Sequence, residues 1–193
     1  FSLTRTADVT LPGWARAALA SFYGADLMLS LHATRVKDPT ASGLAIYSLG
    51  RTASDAVAAA AASVENAGYG RPAGFWGQGG QDVFVAATRR AAGEKPARLG
   101  YVLAGGLAKA VPPSSPLPPR VAGAATFRLL AETQAPAVLV EAGFLSHPGD
   151  LAILSSADKR QSVAQALATA ILAAIAASFR TGQEEAAVPQ ESR

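Results

Sequence analysis

The stretch that most limits what this chain can fold into is Ala137–Pro148, AVLVEAGFLSHP. A short run of Ala137, Val138, Leu139 and Val140, with Pro136 before it and Gly143 after it, suits a strand covered on both faces. That run leads without a break into a carboxylate, Glu141. Charge at the end of a buried strand is costly unless it is paired, hydrogen-bonded or bound to a metal. In open parallel α/β sheets the C-terminal edge of the strands is also where ligands bind. Two readings stand at this point: a functional carboxylate, or one that caps the next helix or pairs with an arginine.

Composition decides what surrounds that strand. Half of the 193 residues are apolar and 16% are charged, which excludes disorder throughout and allows one full core. The net charge of +3 is spread along the chain without a dense basic run, so nucleic acid is not an expected partner. Cysteine is absent, which removes disulfides and thiolate metal sites; the two histidines are His32 and His147. The first residue is Phe1, and no basic segment followed by an apolar core stands there, so any signal peptide is expected to have been removed or left out.

Taken in order, Phe1–Thr4 is a strand candidate, Gly13–Tyr23 a helix closed by Gly24, and Asp26–Ala33 a second strand. That spacing predicts a parallel βαβ unit. Leu44–Leu49 is a third strand, and Thr52–Ala67 a helix capped by Ser54 or Thr52. Gly68–Gly80, with six glycines, is an irregular loop. Asp82–Ala92 and Ala97–Ala110 have helical patterns, and the five prolines of Val111–Pro119 require an extended connector. Val121–Glu132 suggests a turn and then a short strand around Ala125–Leu130, and Gly149–Ser155 a helical turn. A last helix is expected over Ala157–Phe179 with Ser155 as its cap. It is nearly as apolar as a membrane span. Its stripe of Val163, Leu167, Ile171, Ile175 and Phe179, set among alanines, reads instead as a helix packed on the sheet. The domain is expected to cover residues 1–180, with 181–193 a polar, disordered tail.

Five stretches in this order resemble the zinc-dependent N-acetylmuramoyl-L-alanine amidases, which hydrolyse bacterial peptidoglycan. They are LTRTADVTLP (3–12), GADLMLSLHAT (24–34), SGLAIYSL (42–49), RVAGAATFRLL (120–130) and PAVLVEAGFLSHPGD (136–150). The resemblance implies an α/β fold, a mostly parallel twisted sheet with helices on both faces in three layers. It places His32 on the family's histidine zinc ligand and Glu141 on its catalytic glutamate. The implied reaction is hydrolysis of the amide between N-acetylmuramic acid and L-alanine, used in wall remodelling and daughter-cell separation. Zinc would supply an activated water, and Glu141 would take and return the proton. A periplasmic or extracellular envelope location follows from the substrate.

The departures from the family pattern are as informative. The family's other two zinc ligands, a histidine in a Gly-His-Gly-Gly loop and a glutamate on the next helix, would fall before Phe1. The resemblance therefore leaves two expectations: a catalytic domain without its first strand–loop–helix segment, or a metal-free relative that binds peptidoglycan or regulates. Thr34, Gly123 and His147 replace the family's asparagine, lysine and asparagine. His147 is expected to be a surface or loop-capping residue. Some members also carry a helical cover over the site that an activator protein pulls away. Within Gly68–Leu107, Asp82–Ala92 is the candidate for that cover, with Asp82 or Glu94 near the metal, against the plainer reading of an ordinary packed helix.

Overall fold

The structure, a computed structural model, describes residues 1–70, 95–120 and 122–186. The expected helix at Asp82–Ala92 lies outside these residues, as does most of the glycine-rich loop. Among the described residues four strands form one sheet: β1 (Met28–Thr34), β2 (Leu44–Leu49), β3 (Gly123–Ala125) and β4 (Ala137–Phe144), in the order β1-β4-β2-β3. The β1–β4 and β2–β3 pairs are parallel and β2–β4 is antiparallel, so the sheet is mixed, with two of its three pairings parallel.

Alternation along the strands sorts the core onto two faces. Met28, Ala45, Tyr47, Ala137 and Leu139 point to one side, where they meet α1 (Gly13–Phe22), α2 (Ala56–Ala67) and α4 (Arg128–Glu132). Leu44, Ile46, Val138, Val140 and Ala142 point to the other. There they meet α3 (Lys95–Ala110) and α6 (Ala157–Ala186). Helices thus cover both faces. α5 (Pro148–Ser155) lies between β4 and α6.

Local chemistry accounts for the ends of these elements. α1 stops where Gly24 turns left-handed at φ +58°, with the Ala25 N–H donating to the Ala20 carbonyl in the expected glycine closure. α2 starts later than predicted because Asp55, not Ser54 or Thr52, caps it by accepting from the Ala58 N–H at 2.8 Å. Ser54 is committed elsewhere, bonded to the backbone of Ala124 in β3. His147 caps α5, its Nδ1 accepting from the Asp150 N–H at 3.3 Å, in line with a loop-capping role. α6 follows Ser156 rather than Ser155 and runs on to Ala186. The segment Ala157–Ala177 is long and apolar enough to cross a membrane by length and composition. One of its faces is nevertheless spent on the core, through Val163, Ala166, Leu167, Ala170 and Ala174.

Two expectations do not hold. Phe1–Thr4 is not a strand: Phe1 and Leu3 are exposed, and the nearby hydrogen bonding is local, Arg5 Nη1 donating to the Val9 carbonyl at 2.6 Å. A strand needs a ladder partner to satisfy its backbone, and this segment forms none, so the predicted βαβ unit around α1 is absent. In the second case the strand predicted near Ala125–Leu130 ends at Ala125, and α4 follows from Arg128. A short helix there buries the consecutive residues Leu129, Leu130 and Ala131, which a one-sided strand could not do.

Candidate active site

Glu141 does not end its strand. β4 continues to Phe144, and Glu141 lies within it, fully buried, on the face shared with Leu139 and α2. Its cross-strand neighbours are His32 on β1 and Ala45 on β2. Beyond this point β4 carries one more residue than β1: His32 is level with Glu141, but Thr34 is level with Phe144. The bulge sits at Ala142–Gly143, where Gly143 takes φ +97°. It frees the Thr34 N–H from the ladder, and that N–H donates to Glu141 Oε2 at 3.0 Å.

The second carboxylate comes from α2. Ala58, Ala61 and Ala62 line the buried face of this helix, and Glu65 continues that stripe into the last turn, above the end of β1. Its Oε2 lies 2.7 Å from His32 Nδ1, and its Oε1 accepts from the Thr34 hydroxyl at 2.7 Å. On the other side of the imidazole, Nε2 lies 2.6 Å from Ser30 Oγ. His32 is therefore held at both ring nitrogens. Thr34 joins the two carboxylates, by its N–H to Glu141 and its hydroxyl to Glu65. Sequence reasoning missed Ser30, Thr34 and Glu65 as members of this cluster. The readable signal was a carboxylate placed on the apolar stripe of an alanine helix.

The two acids sit in different electrostatic settings. Burial pushes the Glu141 carboxyl up from the usual 4.5 to about 7; the charge on Glu65 adds to this, while Thr34 and His32 oppose it. Its Oε1 is buried without a hydrogen-bond partner among the described residues, an orphaned acceptor beside the site. Burial also works against the charged form of Glu65. There the hydrogen bonds from His32 and Thr34, with the electrostatic pull of the His32 ring and of Arg16, prevail and hold it below its ordinary value. One carboxylate is thus kept ionised and the other is poised to change its proton near neutral pH, a pairing suited to acid–base work.

A metal fits this cluster only in part. His32 Nδ1 and Glu65 converge as a nitrogen and an oxygen donor, whereas Glu141 is held back on Thr34. Among the described residues no group of three or more histidine, aspartate or glutamate side chains is placed to hold a metal ion. Catalytic zinc takes three protein ligands, so these residues do not complete such a site. Either ring nitrogen of His32 would first have to give up its present partner. His147, paired with Asp150 at 3.3 Å, is engaged in the α5 cap.

An α/β sheet that buries an acid of raised pKa next to an imidazole–carboxylate pair marks a candidate functional site. Comparison with known proteins narrows the class. The profile described as N-acetylmuramoyl-L-alanine amidase (Amidase_3) matches residues 1–173, and the chain belongs to this family. It is similar to the N-acetylmuramoyl-L-alanine amidase AmiA of Salmonella typhimurium, with 31% identity over 175 residues. That match takes in 88% of this chain and 59% of AmiA, so the chain spans about three-fifths of the length of this relative. Among solved structures, the catalytic domain of CwlV from Bacillus (Paenibacillus) polymyxa superposes with a TM-score of 0.56 at 23% identity, over 88% of this chain and 69% of that one. The CwlD amidase of Clostridioides difficile, solved in complex with the GerS lipoprotein, gives 0.50 at 14%, over 84% and 61%. These two likenesses speak for the fold alone.

Proposed function

We propose that this chain hydrolyses the amide bond between N-acetylmuramic acid and L-alanine in peptidoglycan, with Glu141 as the group that moves the proton. The observation that carries the reading is a fully buried glutamate whose pKa is raised to about 7, next to His32 in the adjoining strand. A carboxyl poised there is present in both protonation states at neutral pH, so it can take a proton from an attacking water and deliver it to the departing amine. The Thr34 N–H fixes Glu141 Oε2, which leaves Oε1 as the atom free to exchange it.

His32 is proposed as a zinc donor, as the family resemblance implies. The described residues offer Glu65 as the only other converging donor, so zinc dependence requires further ligands from outside them. A role in wall remodelling and daughter-cell separation, and a periplasmic or extracellular envelope location, follow from the substrate. An activator protein is proposed as a partner, as the family resemblance implies; CwlD, which shares the fold, is solved in complex with a lipoprotein. A second reading, a metal-free relative that binds peptidoglycan or regulates, is favoured by the missing third donor among the described residues.

The test is metal content together with turnover of an N-acetylmuramoyl-dipeptide. Zinc-loaded protein should hydrolyse it, and Glu141→Ala should lower kcat by about 10²–10⁴-fold. Undiminished turnover by that variant would remove Glu141 from the reaction. Glycan binding without zinc or turnover would establish the second reading.

A further inference from the structure

Helix α1 carries large rings on the side turned away from the core. It buries only Ala17 and Ala20, whereas Trp14 is exposed, Phe22 is 81% exposed and Tyr23, at the C-cap, 61%. Aromatic residues are poorer helix formers than alanine, and a ring left in water forgoes the gain of burial. Neither helix formation nor the core accounts for Phe22. Trp14, Ala18 and Phe22 follow at steps of four, which sets them in one row along the helix. A rise of about 1.5 Å per residue puts the Cα atoms of Trp14 and Phe22 about 12 Å apart, with the small Ala18 between them. Phe22 and Tyr23 meet edge to face, with ring centroids 5.3 Å apart and planes at 75°, so one ring props the other. The charge nearby is of one sign. No aspartate or glutamate occurs between Asp8 and Asp26. Tyr23 borders a cavity of about 300 Å3 that Arg5 and Arg16 also line, with no acid among its lining residues. Both guanidiniums bond to backbone carbonyls, Arg5 to Val9 at 2.6 Å and Arg16 to Leu11 at 2.9 Å, and neither forms an ion pair with a described residue.

We propose that this outer row of α1 is an accessory surface for the glycan backbone of peptidoglycan, outside the His32–Glu141 cluster. Trp14 and the Phe22–Tyr23 pair are its stacking platforms, and Arg5 and Arg16 attract the carboxylates that the polymer carries. Peptidoglycan as the occupant depends on the amidase reading above; the stacking chemistry does not. A pyranose ring has a face of C–H groups and a rim of hydroxyls. Laid flat on an exposed aromatic ring, it covers apolar surface and keeps its hydroxyls in water, which suits an open row rather than a closed pocket. The two platforms stand about as far apart as a two-sugar repeat is long, and alanine between them leaves room for the intervening sugar. The lactyl and peptide carboxylates give the polymer the charge opposite to that of the two arginines.

Co-sedimentation of the intact chain with purified peptidoglycan, in chelator so that binding is read without turnover, tests this. Trp14→Ala combined with Phe22→Ala should weaken binding about tenfold, whereas Trp14→Phe should keep most of it, because another aromatic face serves. A chitin oligosaccharide, which has the sugar backbone without peptides, should compete with the polymer for the wild type. Turnover of the small N-acetylmuramoyl-dipeptide should be the same in the double variant, since neither ring belongs to the cluster. Thermal unfolding reports whether α1 is intact, and Phe22→Ala alone carries the test if the double variant does not fold. Unchanged binding by the folded variant, no competition by the oligosaccharide, or no binding by the wild type would overturn the accessory surface, and hydrolysis of the dipeptide would leave the amidase reading in place. Ring-dependent binding without any hydrolysis by zinc-loaded protein would uphold the surface and remove the amidase reading.

Discussion

Replacing Glu141 with glutamine should stabilise the fold at alkaline pH while removing the proposed amidase activity. Glutamine keeps an acceptor for the Thr34 N–H and nearly the same volume, but does not titrate. The wild-type carboxyl has a folded pKa of about 7 against 4.5 for an ordinary glutamate, so between these values the native state holds a proton that the unfolded chain has released. Stability therefore falls as pH rises through that window and levels off above about 7. At about 1.4 kcal/mol for each pH unit separating the two values, the loss is about 3 kcal/mol. For a chain of this size that corresponds to about 6–12 °C in Tm. The assay is thermal unfolding by circular dichroism from pH 5 to pH 8.5, in chelator, for wild type and Glu141→Gln. The wild-type Tm should decline across the range relative to the variant, with the gap widest above pH 7. Parallel pH profiles would refute the argument, since they would mean that this carboxyl titrates alike in the folded and unfolded chain.

Three further outcomes follow from the geometry. Gly143→Ala should destabilise by about 1–3 kcal/mol in urea titration, because φ +97° disfavours any side chain and the new methyl would lie 3.2–3.4 Å from Leu117 and Asp150. Asp150→Ala should lose about 3 kcal/mol by the same measurement, since its buried carboxylate accepts from the Gly43 and Phe144 N–H groups at 2.8 and 2.9 Å and both would be stranded. Asp55→Ala should cost about 1 kcal/mol by removal of the α2 cap, whereas Thr52→Ala should have little effect on that helix.

The sequence was most legible where burial is two-sided and the pattern continuous. Leu44–Leu49 has its predicted bounds, and the AVLV run forms the central strand because each side chain meets a helix on one face or the other. His32 and Glu141 come together because each continues such a run onto the same face of paired strands. Legibility failed where tertiary partners decide. Phe1–Thr4 has strand-forming residues but no ladder to join. Asp55 outcompetes Ser54 as a cap because β3 claims the serine. The antiparallel direction of β2 against β4 depends on how the chain returns, which no local pattern records. Glu65 escaped notice because an acid near the end of a helix usually faces water, and only the position of β1 beneath it gives this one a role.

The additional residue in β4 also acts as a phase shift. Ala137, Leu139 and Glu141 face α1 and α2 at odd positions, yet Phe144, at an even one, is packed into the same cluster. Strict alternation would have turned that large ring toward α3 and α6. Restoring an unbroken ladder by deleting either Ala142 or Gly143 would therefore do more than straighten a strand. It would exchange the two sides of the sheet for everything downstream and would withdraw the Thr34 amide from the carboxylate that it orients.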